Sequence, residues 1–555
     1  MGKEKVQKMK KPKTRGQKIL INLVVTLLFG LVGFYLTLPA INLHAEEFYI
    51  FVLLLCAVYI LCALVTSGLD LRGRGGVKEY FSFIKSQCLP VGILVVVMLA
   101  VMMVGQLVSA PIFRASAYRD LLVPQTGDFT ADITQISFNK IPTLDRDSAE
   151  YLSDRQMGTL SDMVSQFEYS DDSTQINYQD RPVRVAPIAY ADLIKWFTNR
   201  GDGLPAYVIV DMVTQQATVV RLSEGIKYSF SEPLNRNIIR HLRFQFPTYM
   251  FAEPEFEINE EGRPYWIAPR IARTIGLFGG TDIIGAVLVD AVTGECTYFD
   301  AADVPNWVDN LYDPDLVMGQ YDYHGTLVNG FLNSIFGQRD VTQTTEGYNY
   351  IAMDDDVYMY TGVTSANADQ SNLGFLLCNL RTKETKYYTA PGATEYAAMA
   401  SAQGVVQDLG YIATFPILLN IGGEPTYFIP MKDAANLVKT YAMVNVSRYD
   451  IVATGATVSE CERAYVRMLS NKGITTSTGG SGVTATGVIA ELRSAVMDGN
   501  SYYFIRLEGE KVFYSVSAAQ NSLAVILNVG DRVTIEHAAA EEGQEILTGY
   551  SVTRN

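Results

Sequence analysis

Three arginines, Arg236, Arg240 and Arg243, stand four and three residues apart in the stretch Asn235 to Phe244, the spacing that gathers side chains on one face of a helix. With His241 beside them they make an anion-binding or partner-binding candidate, since forked guanidinium donors match a carboxylate or a phosphate. In so acidic a chain, ion pairs inside the protein are an alternative use for the same charges. A second cluster, Asp354, Asp355 and Asp356 among Tyr348, Tyr350, Tyr358 and Tyr360, would offer carboxylates to Ca²⁺. It lacks the D-x-[DN]-x-[DN]-G spacing of a calcium loop and reads as a solvated turn.

Catalytic groups are harder to place. The four histidines, His44, His241, His324 and His537, show no metal-ligand spacing, and H-E-x-x-H, G-x-S-x-G and P-loop motifs are absent. No catalytic residue, metal site or cofactor is assigned from sequence. Two carboxylates distant in sequence can still meet in space as a glycosidase pair, but a chain with 59 Asp and Glu does not nominate them. Trp196, Trp266 and Trp307 would suit sugar stacking or a core.

The elements that would position these groups begin at a membrane. Met1 to Lys18 hold eight Lys or Arg against the single Glu4, a basic tail. Ile19 to Leu38, Phe48 to Ser67 and Leu89 to Leu107 follow, each close to the ~20 apolar residues that cross a bilayer. The first connection carries His44, Glu46 and Glu47, and the second carries Arg72, Arg74, Lys78 and Lys85, so positive charge alternates between sides. The expected topology is a cytoplasmic tail at a plasma membrane, with everything after about Ser109 extracytoplasmic. The long basic region and the lack of a small-residue cleavage site argue against a cleavable signal peptide.

Charge divides the chain in the same place. Of 44 basic and 59 acidic side chains, 12 and 5 fall in residues 1–111, which leaves 32 and 54 beyond and a net charge of −22 there. Phosphate backbones need concentrated Lys and Arg, so nucleic acid is excluded as a partner. The acidity keeps a large exposed region soluble.

That region, residues 112–469, shows internal repetition. A hydrophobic strand, an Asp or Asn, two residues and a Thr occur at Val208-Ile209-Val210-Asp211 with Thr214, at Val287-Leu288-Val289-Asp290 with Thr293, and at Leu376-Leu377-Cys378-Asn379 with Thr382. A Gly-x-Pro-aromatic element recurs at Gly203 to Tyr207, Gly262 to Trp266 and Gly423 to Phe428. Spacings of eighty to ninety residues suit α+β modules packed side by side. The stretch Phe256 to Asp300 reads as two hairpins, one turning at Gly262 and Pro264, the other at Asp290 to Gly294. It resembles the PepSY family of small extracytoplasmic domains, with diverged copies near 203–220 and 374–430. The resemblance implies a non-catalytic module that binds or restrains a partner, peptidases among them.

Helices are expected from Asp147 to Phe167, Tyr190 to Phe197, Asn235 to Phe244 and Thr394 to Asp408. Residues 470–482 are a Gly, Ser and Thr linker. Residues 483–555 hold five strands with turns at Asp498 to Asn500, Glu508 to Glu510 and Gly530 to Asp531, and look like an OB-type β-barrel. Its candidate binding face is Tyr502, Phe504 and Tyr514. The acidity of the barrel opposes strand binding and favours a protein or glycan ligand. Cys56, Cys62 and Cys88 lie in or beside the apolar segments, while Cys296, Cys378 and Cys461 are widely spaced, so buried thiols are expected, with a Cys296–Cys378 disulfide as the alternative.

The sequence thus describes a membrane protein: three N-terminal transmembrane α-helices, α+β repeat units and a C-terminal barrel. Its expected role is to bind or regulate an envelope protein partner. An envelope hydrolase acting on cell-wall glycan or peptide and a structural scaffold for a membrane complex are the alternatives.

Overall fold

The computed structural model describes residues 14–67, 82, 84–133, 140–160, 162–353, 355–365, 371–472, 474, 483–497, 500–518, 521–537 and 546–554. Three helices are long and apolar enough to cross a membrane: α1 (Arg15–Thr37), α2 (Glu46–Ser67) and α3 (Leu89–Ser109). At 1.5 Å per residue each spans roughly the 30 Å hydrocarbon thickness of a bilayer. Thr14 and Gln17 close a capping box at the start of α1. A short helix, α4 (Pro111–Arg119), follows α3 directly.

The chain divides into two compact units, Met1–Gly127 with Asn139–Thr394 and Lys432–Val438, and Asp128–Phe138 with Glu395–Met431 and Lys439–Asn555. Four times in succession the chain makes a helix and then five strands. The first module has α5 (Arg146–Gly158), β1 (Phe167–Tyr169), β2 (Thr174–Tyr178), β3 (Arg181–Tyr190), β4 (Leu204–Asp211) and β5 (Gln216–Ile226), with α6 (Leu193–Asn199) inserted after β3. The second has α7 (Ile238–Gln245), β6 (Met250–Phe251), β7 (Glu255–Ile258), β8 (Pro264–Ile275), β9 (Gly279–Asp290) and β10 (Cys296–Asp300). The third has α8 (Pro314–Thr326), β11 (Thr342–Thr344), β12 (Asn349–Met353), β13 (Asp356–Ser365), β14 (Ser371–Asn379) and β15 (Thr385–Ala393). The fourth has α9 (Glu395–Val405), β16 (Ile412–Ala413), β17 (Ile417–Ile421), β18 (Glu424–Lys432), β19 (Val438–Asn445) and β20 (Val452–Gly455), and α10 (Val458–Asn471) follows.

Strand order is the same in all four: first, third, fourth, fifth, with the second strand also paired to the third. Local chemistry repeats with it. The turn into the third strand holds a residue in the left-handed region each time, Asp180 (φ 59°), Gly262 (φ 76°), Asp355 (φ 68°) and Gly423 (φ 86°), types that tolerate that conformation. The described part of the acidic run is therefore the third module's copy of this turn. The Gly-x-Pro elements at Gly262 and Gly423 mark it too, whereas Gly203 to Tyr207 falls on the fourth strand of its module and is not an equivalent copy.

The turn out of the fourth strand is built on one carboxylate or amide. Asp211 Oδ1 accepts the backbone N–H groups of Val213 and Thr214 at 2.9 and 2.8 Å. Asp290 Oδ1 does so for Val292 and Thr293 at 2.9 and 2.8 Å, and Asn379 Oδ1 for Arg381 and Thr382, both at 2.9 Å. This is why the repeat reads Asp or Asn and then Thr: a short acceptor caps the turn. The second oxygen of each Asp reaches back to the start of the third strand, Asp211 Oδ2 to Arg181 Nη1 at 2.9 Å and Asp290 Oδ2 to Arg263 Nε at 2.5 Å. Where the residue is Asn, its amide donates instead and the strand-three residue is acidic: Asn379 Nδ2 to Asp356 Oδ2 at 2.7 Å, and Asn445 Nδ2 to Glu424 Oε2 at 3.2 Å.

The second module's sheet has a core on each face. Alternation along β9 sends Val287 and Val289 to one face, with Trp266, Phe256, Ile238 and Leu242, and Ala286 and Leu288 to the other, with Ile267, Val317, Met359 and Leu376. A strand covered on both sides must be apolar throughout, which accounts for the unbroken Ala286 to Val289 run. In the second unit, β21 (Val483–Met497), β22 (Asn500–Leu507), β23 (Phe513–Ser517), β24 (Arg532–His537) and β25 (Ile546–Arg554) close a barrel in the order β21-β22-β23-β25-β24 around Ile489, Ile505, Tyr514, Val516 and Ile535.

Candidate functional site

The predicted arginine face lies on α7 and its approach, and the structure sends its donors to backbone carbonyls. Arg240 Nε donates to Tyr35 O at 3.3 Å, its Nη1 donates to Leu234 O and Pro233 O, and its guanidinium lies 4.3 Å from the centre of the Tyr35 ring. Arg243 is buried and donates from Nε to Leu38 O at 2.9 Å and from Nη1 to Tyr249 O at 2.5 Å. Tyr35 and Leu38 end α1, where carbonyls lack helical partners and the helix dipole is negative. Arg240 and Arg243 thus cap the first apolar helix. Arg236 is directed elsewhere, to Arg200 O at 2.7 Å. Burial pushes the Arg243 pKa down. His241 gives Nε2 to Gly294 O at 2.8 Å and touches Cys296 Sγ at 3.4 Å. That contact is no thiolate–imidazole dyad, because the same nitrogen serves the carbonyl and burial pushes the Cys296 thiol up to about 11. All six cysteines are free thiols.

A second seam joins the same module to the helices. The β8–β9 turn places Leu277 and Phe278 against Gly105 of α3, where a side chain on that glycine would meet the Phe278 ring at 2.5 Å. Ser109 Oγ accepts from Leu277 N at 2.9 Å and Phe278 N at 3.0 Å, and His44 Nδ1 contacts Leu277 O at 2.8 Å. Above this seam is a cleft of about 230 Å³ lined by Tyr118, Arg273, Phe278, Asp315, Gln320 and Tyr323 among others. Among the described residues that line it, Asp315 is the one carboxylate.

Sequence reasoning missed a buried acidic pair, Glu257 on β7 and Asp309 in the segment before α8. Glu257 accepts from Asp309 N at 2.9 Å, Asn310 N at 2.8 Å and Asn310 Nδ2 at 3.1 Å. Asp309 Oδ2 accepts from Asn177 N on β2 at 2.6 Å, and Asn310 Nδ2 also donates to Gln175 O at 2.9 Å. One segment therefore ties β2 of the first module to β7 of the second. Both acids are at most 1% exposed, and Asp309 Oδ1 has no partner among the described residues. Burial pushes the Glu257 pKa up to about 7 against the pull of its three donors, and burial beside Glu257 pushes Asp309 well up. Glu257 stands between Phe256 and Ile258, so its strand alone shows a polar face. Its partners come from the distant segment 309–310.

On the barrel, Tyr502 and Phe504 share the outer face, but Tyr514 points inward, 3% exposed, with its hydroxyl on Glu510 Oε2 at 2.5 Å. Register explains this: Phe504 pairs with Ser515 and Ile505 with Tyr514, so Tyr514 takes the core parity. Its outward neighbour is Phe513, with Arg493 and Arg506 at 5.1 and 5.7 Å from the ring centre. Glu491 accepts from both arginines, and they hold its carboxyl below the usual range, Arg506 foremost. The three-strand outer face therefore carries Tyr502, Phe504 and Phe513 laced with Arg493 and Arg506. Among the described residues no group of three or more His, Cys, Asp or Glu side chains is disposed to hold a metal.

Comparison of the sequence with protein-family models finds no match, and comparison with curated proteins finds none either.

Proposed function

We propose that this chain is a membrane-anchored cell-envelope protein, its N-terminus cytoplasmic and its β-rich part extracytoplasmic, that binds or regulates a protein partner, a peptidase being the candidate class. The observation that carries the reading is the outer face of β21–β23. Aromatic rings with arginines packed beside them are what protein interfaces concentrate, and here they stand exposed or half-exposed on a barrel that follows a Gly, Ser and Thr linker. Strand order supports an OB-type barrel, with β23 and β25 parallel and the rest antiparallel. The recurrence of a helix and a sheet with an Asp-capped hairpin supports the PepSY-like reading of the modules.

A glycosidase uses two carboxylates flanking an open cleft. Glu257 and Asp309 are sealed, and the described cleft has one carboxylate, which favours binding over glycan hydrolysis. The test is a photo-crosslinking amino acid at Phe504 in the full-length protein in its native membrane. A discrete adduct with an envelope protein, lost with Phe513→Ala and Arg506→Ala, is expected. Adducts with wall polymer alone would refute the reading.

A further inference from the structure

Two apolar patches of the β-rich part stand outside its cores and are linked, through hydrogen bonds and ring contacts, to the ends of two of the long helices, α1 and α3. One is Leu193, Ile194 and Phe197 on α6, and the other is Leu332, Ile335 and Phe336 after α8, all between 52% and 82% exposed. The first is tied to the end of α1 by short links. Trp196 Nε1 on α6 donates to Glu232 Oε2 at 2.7 Å, Arg236 reaches Arg200 O just past α6, and the adjoining Asn235 accepts from Tyr35 Oη at 3.1 Å. Phe244 on α7 stands edge-on to Phe34 at 5.8 Å, so this side of the module lies level with the last turn of α1. The second patch is tied to the exit of α3. Tyr118 on α4 donates to Ser109 O at 2.7 Å and lies tilted against Tyr323 of α8, ring centres 4.6 Å apart, and Leu327 and Phe331 pack with Tyr118 and Ile275 immediately before the exposed residues.

We infer that both patches insert into the headgroup boundary of the bilayer that α1–α3 cross, so that the first unit stands on its membrane on two lipid-embedded feet. The occupant follows from continuity. Ile112 and Phe113 are exposed on α4 directly after α3, and they extend the apolar outer surface of the helices toward the patch after α8. Lys195 lies within the α6 patch and Arg200 at its end, its guanidinium 4.7 Å from the Phe197 ring centre, which is the basic rim that an interfacial helix presents to lipid phosphates. A soluble partner would not require both patches to sit at the level of the helix ends.

The test uses full-length protein in nanodiscs of phosphatidylglycerol and phosphatidylethanolamine, with Ile194→Trp and Phe336→Trp made singly. Lipids brominated on acyl carbons close to the headgroup should quench each added tryptophan roughly twofold beyond the parent protein, since interfacial side chains lie about 5–10 Å deep. Phe29→Trp, on the exposed face of α1, reports insertion of the helices independently, and the buried Trp266 reports the fold. If Phe29→Trp is quenched while the other two respond only to aqueous iodide, the feet are solvent-exposed and the inference fails although the helices span. Shielding from both iodide and bromolipid would mean protein covers the patches, and would overturn it equally.

Discussion

Arg263 and Asp290 meet at 2.5 Å across the mouth of the second module's central hairpin, and the same two positions meet in the other modules, in two of them with the charges arranged differently. Arg181 and Asp211 repeat the pair, while Asp356 and Glu424 take the arginine's position opposite Asn379 and Asn445. One geometric position is thus satisfied in two electrostatic senses. Asp356 adds a forked ion pair to Arg381 at 2.6 and 2.8 Å.

This interchange predicts a rescue. Asp290→Ala removes the acceptor of two turn N–H groups and the partner of Arg263, and should cost about 2–3 kcal/mol, the range for bonds to a charged group. Asp290→Asn combined with Arg263→Asp copies the third module and should recover most of that loss relative to Asp290→Asn alone. A double-mutant cycle by chemical denaturation measures the coupling, expected at roughly 1 kcal/mol because Arg263 is partly exposed. Strict additivity would contradict it.

Glu257 and Asp309 predict a pH dependence of definite sign. Both carboxyls titrate higher in the folded protein than in an unfolded chain, so the fold holds protons that the unfolded state releases. Their contribution is complete below about pH 4 and declines as pH rises through about 7, the Glu257 value. Asp309→Asn keeps the acceptor for Asn177 N–H and removes a buried charge. It should raise the melting temperature at pH 8, leave it nearly unchanged below about pH 4, and so flatten the profile.

Arg243→Ala should loosen the union of the second module with α1. Two carbonyls, Leu38 O and Tyr249 O, would lose a charged donor in a buried place, at a cost of about 3 kcal/mol. Proteolysis in nanodiscs should then release the β-rich part faster than from the parent. Arg236→Ala, which leaves both carbonyls served, should not show this.

The two faces of the barrel separate stability from recognition. Tyr514→Ala opens the core and should cost about 3–5 kcal/mol. Phe504→Ala and Phe513→Ala, on the outer face, should change stability by no more than about 1 kcal/mol and weaken partner capture instead.

What was legible in the sequence was local. The three helices long and apolar enough to cross a membrane need only composition and length, and the Val287 to Phe299 hairpin needs only alternation and the Asp290 turn. The fourth module was hidden because its hairpin turns on Asn445-Val446-Ser447-Arg448, without the Thr that marks the other copies. Tyr514 was assigned to the wrong face because parity on one strand is fixed by register with the next. The α1 carbonyls that take Arg240 and Arg243 lie some two hundred residues away, and the segment that bonds Glu257 is about fifty away. No local pattern announces such contacts.

The most direct test of the central claim is a crosslinking pull-down from the native membrane, comparing the full-length chain with one ended near Ser477. An envelope protein, a peptidase foremost, should be recovered with the full-length chain and lost with the shortened one. Equal recovery by both would contradict the assignment of the contact to the barrel, and recovery of lipid and wall fragments alone would contradict the binding role itself.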